Sequence, residues 1–225
     1  APFEEALAAL RREGAVLIDI DKYEIPDAMG EAKFTVLLTE FKADLNAYLA
    51  TLPPQVETHT LADLIAFNQA HAERELALFG QDVFVDAEAA KGLDDPDYIK
   101  ARETSFRLAG PEGIDRLLSD YNVVALVGPT MSPAWKIDSV NGDQVPGGGA
   151  GSLAAVAGYP HLTVPMGEVK GLPVGLSFIG PKWSDALILS LGYDYEQATQ
   201  TRVEPQFLES IEESTEIAPL LEPAE

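Results

Sequence analysis

The chain has 225 residues, 46% of them hydrophobic, which is enough for one large domain or part of a bigger one. Thirty-seven acidic residues against fifteen Lys and Arg give a formal net charge of -22, so nucleic acid and anionic membrane, which need a basic footprint, are excluded as expected partners. Cysteine is absent, which removes disulfides, thiol catalysis and thiolate metal sites, and no apolar run approaches the roughly 20 residues that span a bilayer.

Ala1 leads straight into a helix-like APFEEALAALRR, which does not read as a signal peptide. Phe3, Leu7 and Leu10 share one helical face, and Gly14 stands where a C-terminal cap belongs. Ala15–Ile20 is a short β-type run carrying Asp19, with Asp21 just beyond it. From Phe34 to Leu49, apolar residues recur at three and four, predicting an amphipathic helix closed by Pro53-Pro54. Thr60 and Asp63 form a capping pattern for a helix carrying Leu61, Leu64, Ile65, Leu76 and Phe79, closed by Gly80. Asp95-Pro96 opens another, through Tyr98, Ile99 and Phe106, broken or kinked at Gly110-Pro111 and continued by Ile114, Leu117, Leu118 and Tyr121.

Val123–Val127 is a β-branched run of the kind buried on both faces, stopped by Gly128-Pro129. A loop with Thr130, Met131, Ser132 and Trp135 follows, then the glycine run Gly147–Gly151. Ser152–Ala157 is a short apolar segment ending at Gly158. The apolar runs Leu162–Met166 and Val174–Ile179 flank a turn at 167–171, and Ser184 opens a helix from Asp185 to about Thr199. Helix and strand alternate, so the expected class is α/β with a mixed sheet flanked by helices on both faces. Residues 1–202 form the domain. Residues 203–225, with seven Glu and no Lys or Arg, form an acidic tail that docks in part, through Phe207, Leu208 and Ile211, and frays beyond Thr215.

Few residues offer chemistry by themselves. His59, His71 and His161 lack metal-ligand spacing, so no metal site is expected and each reads as an ordinary structural or surface histidine. No G-x-S-x-G elbow anchors a Ser-His-Asp hydrolase. The glycine run lacks the Lys of a P-loop and the spacing of a dinucleotide fingerprint, so it reads as a tight or mobile loop, and no cofactor is expected. Paired carboxylates such as Asp94 and Asp95 carry little information in so acidic a chain.

The ordered elements GSLAAVAGYPHLTVPMG (151–167), GLPVGLSFIG (171–180), Trp183-Ser184-Asp185 and Tyr195-Glu196-Gln197-Ala198-Thr199 resemble the C-terminal portion of the amidase signature family. Val123–Pro129 with Thr130 is similar to a family strand that ends in a proline-bearing loop. The resemblance implies hydrolysis of a carboxylic amide by a Ser-Ser-Lys triad, in which a lysine of lowered pKa takes a proton through a bridging serine and the second serine attacks the carbonyl. It also implies an oxyanion turn of backbone N–H groups.

The Gly/Ser-rich runs and the upstream lysine that carry that triad do not occur here, and neither Ser152 nor Lys22 nor Lys33 matches them. The expectation is therefore an incomplete part of the larger amidase signature fold, inactive alone, with no catalytic residue to carry over. The resemblance assigns Thr130, Met131, Trp135, Gly149 and Ala150 to the lining of the substrate pocket, with plain packing as the competing reading for Met131 and Trp135. Trp183 reads as structural, at a helix start. The expected partner is a small-molecule amide, its identity open from free carboxamides and anilides to peptide amides or glutaminyl-tRNA. An incomplete sheet also predicts self-association through exposed apolar surface. Two rival readings stand beside this one: a non-catalytic amidase-like scaffold or binding module, and a small-ligand domain built on the glycine loop.

Overall fold

The computed structural model describes residues 1–21, 23–207 and 210. Its centre is a hairpin. Strands β2 (His161–Val169) and β3 (Leu172–Ile179) are joined by Lys170 and Gly171, both at positive φ (52° and 78°), the mirror-image turn that suits the twist of paired strands. Strand β1 (Leu126–Pro129) pairs with the other edge of β3, giving the order β1-β3-β2. Every pairing is antiparallel, so the α/β class stands while the sheet is not mixed among the described residues. A two-residue turn permits no other arrangement for β2 and β3.

Alternation along β3 divides the core. Leu176 and Phe178 face one side, with Val164 and Met166 of β2. That side is covered by helix α1 (Pro2–Arg12), through Ala6 and Ala9, and helix α9 (Asp185–Thr199), through Ile188 and Tyr195. Ile179 faces the other, against Leu153, Ala154 and Ala157 of helix α8 (Gly151–Ala157). Behind α8 stand helix α2 (Asp27–Leu49), helix α6 (Pro96–Ala109), a π-turn at Gly110–Asp115 and helix α7 (Arg116–Asp120). Helices thus cover both faces, as expected. Tyr159 ties the second cluster together: its hydroxyl donates to Asp115 at 2.7 Å, and burial followed by that carboxylate pushes its pKa up to about 12.

Local signals decide the helix ends. Thr60 and Asp63 form a reciprocal capping box on helix α3 (Leu61–Ala70), and Asp95 caps α6 through the Asp97 N–H. Gly158 closes α8 in the left-handed region.

Several expectations change. Ala15–Ile20 makes no strand, because nothing pairs with it, and Val16 is 84% exposed. The expected helix through Phe79 stops early: α3 is followed only by helix α4 (Ala72–Glu75), and Phe79 is exposed. Helix α5 (Asp82–Glu88) was not anticipated. Strand β1 begins three residues beyond Val123, whose N–H closes the preceding helix on the Leu118 carbonyl at 3.0 Å. It is an edge strand, not one buried on both faces, and Val124 lies open. Trp183 is exposed, not packed. The docking expected of Leu208 and Ile211, and the fraying beyond Thr215, lie outside the described residues. Among the described residues no helix is long and apolar enough to cross a membrane.

Candidate functional site

Two loops are stapled together at the end of β1. The Ala150 N–H donates to the carbonyls of Pro129 and Thr130, at 3.2 and 3.3 Å. Gly149 makes this approach possible: it sits at φ 138°, and a Cβ there would lie 3.0 Å from the Thr130 carbonyl and 3.1 Å from the Met131 sulfur. Beside the staple opens a cleft of about 600 Å³, walled by Pro129, Met131, Gly149, Ala150, Met166 and Val174 among others. Ser132 supplies its only polar side chain, and that hydroxyl is buried without a hydrogen-bond partner among the described residues. An unpaired buried hydroxyl costs about 1–3 kcal/mol.

Behind the cleft runs a chain of hydroxyls. His161 Nε2 lies 2.6 Å from Ser177 Oγ, Ser177 donates to Thr130 Oγ1 at 2.8 Å, and Thr130 meets Thr163 Oγ1 at 2.6 Å. Gly175 leaves the room these groups need, since a Cβ there would come within 2.5 Å of Thr163 Oγ1 and 2.9 Å of Thr130 Oγ1. Ser177 donates to Thr130, and with its one proton used there it accepts from His161 in the tautomer that carries the proton on Nε2. Ser177 is also fully buried. This is a relay that fixes the position of Thr130, not a serine–histidine nucleophile. Burial holds the His161 pKa below its ordinary value, which keeps the neutral ring that such a chain uses.

Other candidates can be placed as plainly. His59 and His71 each set Nδ1 against a backbone carbonyl, of Leu49 and Phe67, in keeping with structural roles. Lys33 Nζ reaches Ser152 Oγ at 3.5 Å on the open surface. Lys33 is exposed.

Of the five residues assigned to the pocket, Met131, Gly149 and Ala150 come together on the cleft wall. The hydroxyl of Thr130 is turned into the relay behind it. Trp135 lies off the wall, its Nε1–H bonded to Asp143 at 3.1 Å within its own loop. That bond is the lesser of two holding the Asp143 carboxyl below the usual range, after the N–H of Asp138. Sequence reasoning passed over Ser132, Thr163, Gly175 and Ser177. The last had a signal, a lone hydroxyl inside an apolar β run.

Comparison with known proteins gives the site its context. The family model described as Amidase matches residues 1–189. A probable amidase of Arabidopsis thaliana is 33% identical over 208 residues, covering 90% of this chain and 37% of its own length. The native peptide amidase of Stenotrophomonas maltophilia, a crystal structure, superposes with a TM-score of 0.81 at 48% identity, over 92% of this chain and 41% of that one. The peptide amidase PAM in complex with the competitive inhibitor chymostatin gives 0.83 and 50% over the same shares. The chain therefore spans about two fifths of the length of these proteins.

Proposed function

The chain belongs to the amidase family, and from that premise we propose that it is the C-terminal part of an amidase signature hydrolase. In this reading the whole protein cleaves carboxylic amide C–N bonds, adding water across the bond to give an acid and an amine or ammonia. The attacking serine, the bridging serine and the lysine base are supplied by sequence outside this chain, so the chain alone is inactive. Its own residues provide one wall of the cleft and hold the two loops that shape it. The observation that carries this reading is the stapled cleft, whose wall is almost wholly apolar.

Such a wall suits a substrate that is largely apolar with one or two hydrogen-bonding groups, as an amide is. Similarity to a peptide amidase supports peptide amides as the first substrate class to try. Apolar side chains left bare, among them Phe34, Leu37 and Phe79, support self-association of the chain when it stands by itself.

The test is ammonia release from a peptide amide by the chain alone and by the protein that includes the preceding reading frame. Hydrolysis only in the longer protein is expected. Turnover by the purified 225-residue chain would overturn the assignment. An upstream frame without a lysine and a Gly/Ser-rich run would favour a non-catalytic scaffold.

A further inference from the structure

Asn141 is followed by Gly142, the only such pair in the chain, since Asn46, Asn68 and Asn122 precede Ala47, Gln69 and Val123. The pair is exposed, at a turn in the loop between Met131 and Gly149, both of which wall the cleft. Val140 beside it is 89% exposed, and a Cβ on Gly142 would meet nothing within 4 Å. Gly142 holds φ 81°, the left-handed region that glycine enters freely. One residue organises the turn. The Asp138 carboxylate accepts from the Val140 N–H at 3.0 Å, the Asn141 N–H at 2.9 Å and Asn141 Nδ2 at 3.1 Å. Its backbone carbonyl accepts from the Gly142 N–H at 3.0 Å. The two Asn141 bonds come first among those that hold the Asp138 carboxyl below its usual range, so it is ionised at neutral pH.

Asparagine followed by glycine carries its own reaction. The Gly142 nitrogen gives up its proton to water or hydroxide and attacks Cγ of Asn141, closing a ring through a new N–Cγ bond. The Cγ–Nδ2 bond breaks, and Nδ2 takes a proton from water and leaves as ammonia. Water then opens the ring at either of its carbonyls, giving aspartate or isoaspartate, with nothing oxidised or reduced. Glycine favours the attack because no Cβ stands beside the nitrogen. Both reacting groups are held by Asp138, Nδ2 by its carboxylate and the Gly142 N–H by its carbonyl. A bonded N–H gives up its proton less readily, and a carboxylate alongside disfavours the anion that forms. The other asparagines are worse placed. Asn46 and Asn68 lie within α2 and α3, where the next N–H belongs to the helix ladder, and Asn122 precedes a β-branched residue.

We propose that Asn141-Gly142 is a spontaneous modification site, where ring closure expels ammonia and leaves aspartate or isoaspartate, and that Asp138 is the clamp that sets its rate. The product loosens the loop. A carboxylate at position 141 faces the Asp138 carboxylate where an amide had donated to it, so attraction turns to repulsion. Isoaspartate also inserts a methylene into the main chain. The same turn holds the Asp138 N–H against Asp143 at 2.9 Å, and Asp143 in turn accepts from Trp135 at 3.1 Å. Conversion therefore slackens the hold on Trp135, in a segment whose ends, Met131 and Gly149, wall the cleft. The inference is independent of which bond the whole protein cleaves.

The test incubates the protein, together with its preceding reading frame, in mildly alkaline buffer. Peptide mass mapping and isoaspartyl-specific enzymatic methylation then locate the product. Conversion at Asn141 should run roughly tenfold or more ahead of Asn46, Asn68 and Asn122, because a helix must open before its amides can react. Asp138→Ala should convert roughly tenfold faster than the wild type when folded, since the turn then opens without breaking the carboxylate's bonds. Asp138→Asn, which keeps an acceptor but not the charge, should fall between them. In urea all three should convert alike, which separates the clamp from the intrinsic rate of the pair. Asn141→Gln, whose longer side chain closes a ring poorly, should stay unmodified at that position. Conversion at Asn141 no faster than at the other asparagines would overturn the site. Equal folded rates in the wild type and both Asp138 variants would overturn the clamp.

Discussion

The hairpin region and the helical region before it are built from similar residues but end in different states. Between Leu126 and Thr199, Leu153, Val164, Met166, Leu176, Phe178, Ile188 and Tyr195 are all buried, on one or the other face of a single sheet. Between Val16 and Val85, Phe34, Leu37, Tyr48, Leu78 and Phe79 are all exposed. The helical periodicity that predicted α2 is real, and the helix forms, but much of its apolar stripe faces solvent. Burial stabilises the first region, whereas capping and helix propensity carry more of the second. What separates them is the supply of partners, not the sequence pattern.

The largest expected effect tests that contrast directly. Phe178 is 2% exposed and packs against Tyr195 with ring centroids 6.0 Å apart. Phe178→Ala should cost about 3–5 kcal/mol through lost transfer energy and a residual cavity. Phe79→Ala, the same change at a bare position, should stay within about 0.5 kcal/mol. Urea melts of both variants in the isolated chain decide it. Equal losses would mean that the two regions do not differ in the way described. The next effect sharpens the account of the hairpin. Gly175→Val places a side chain where Thr130 and Thr163 meet, and should cost about 1–3 kcal/mol by overpacking. It should also free the loop carrying Thr130, seen as faster exchange of the Ala150 amide. Thr60→Ala probes the helical region. Loss of the cap on α3 should cost about 1 kcal/mol there, comparable to its stake in burial.

The parts of the fold that could be read beforehand are those fixed by neighbours in sequence. The two apolar runs of the hairpin, the bounds of α9, the cap at Thr60 and the stop at Gly158 follow from turn residues and capping chemistry acting within a few positions, although the turn expected at 167–171 narrows to Lys170-Gly171 because 167–169 continue β2. Ala15–Ile20 and Val123–Val127 were misread for one reason. Strand composition says that a segment can pair, and pairing depends on a second segment elsewhere. The site divides in the same way. Gly149 and Ala150 belong to a glycine run that any reading would mark. Gly175 acts through contacts with Thr163 and Thr130, 12 and 45 positions away, Ser132 shares a cleft with Met166 and Val174, 34 and 42 positions away, and nothing local distinguishes either.

The smallest effect concerns pH, and it isolates the relay within the hairpin region. His161 has a folded pKa held below its ordinary value by burial, so between the folded pKa and the unfolded one near 6.5 the unfolded chain binds more protons. Stability from this group is therefore fully present above about pH 6.5 and is lost as pH falls toward the folded pKa. Many carboxylates titrate nearby in so acidic a chain, so the slope of the wild type alone would not identify the source. His161→Gln separates them: its side-chain amide can still donate to Ser177, but it does not titrate. The difference in Tm between pH 7.5 and pH 5.5 should shrink in this variant while the Tm at pH 7.5 is nearly kept. An unchanged difference would mean that burial does not hold the His161 pKa below its ordinary value.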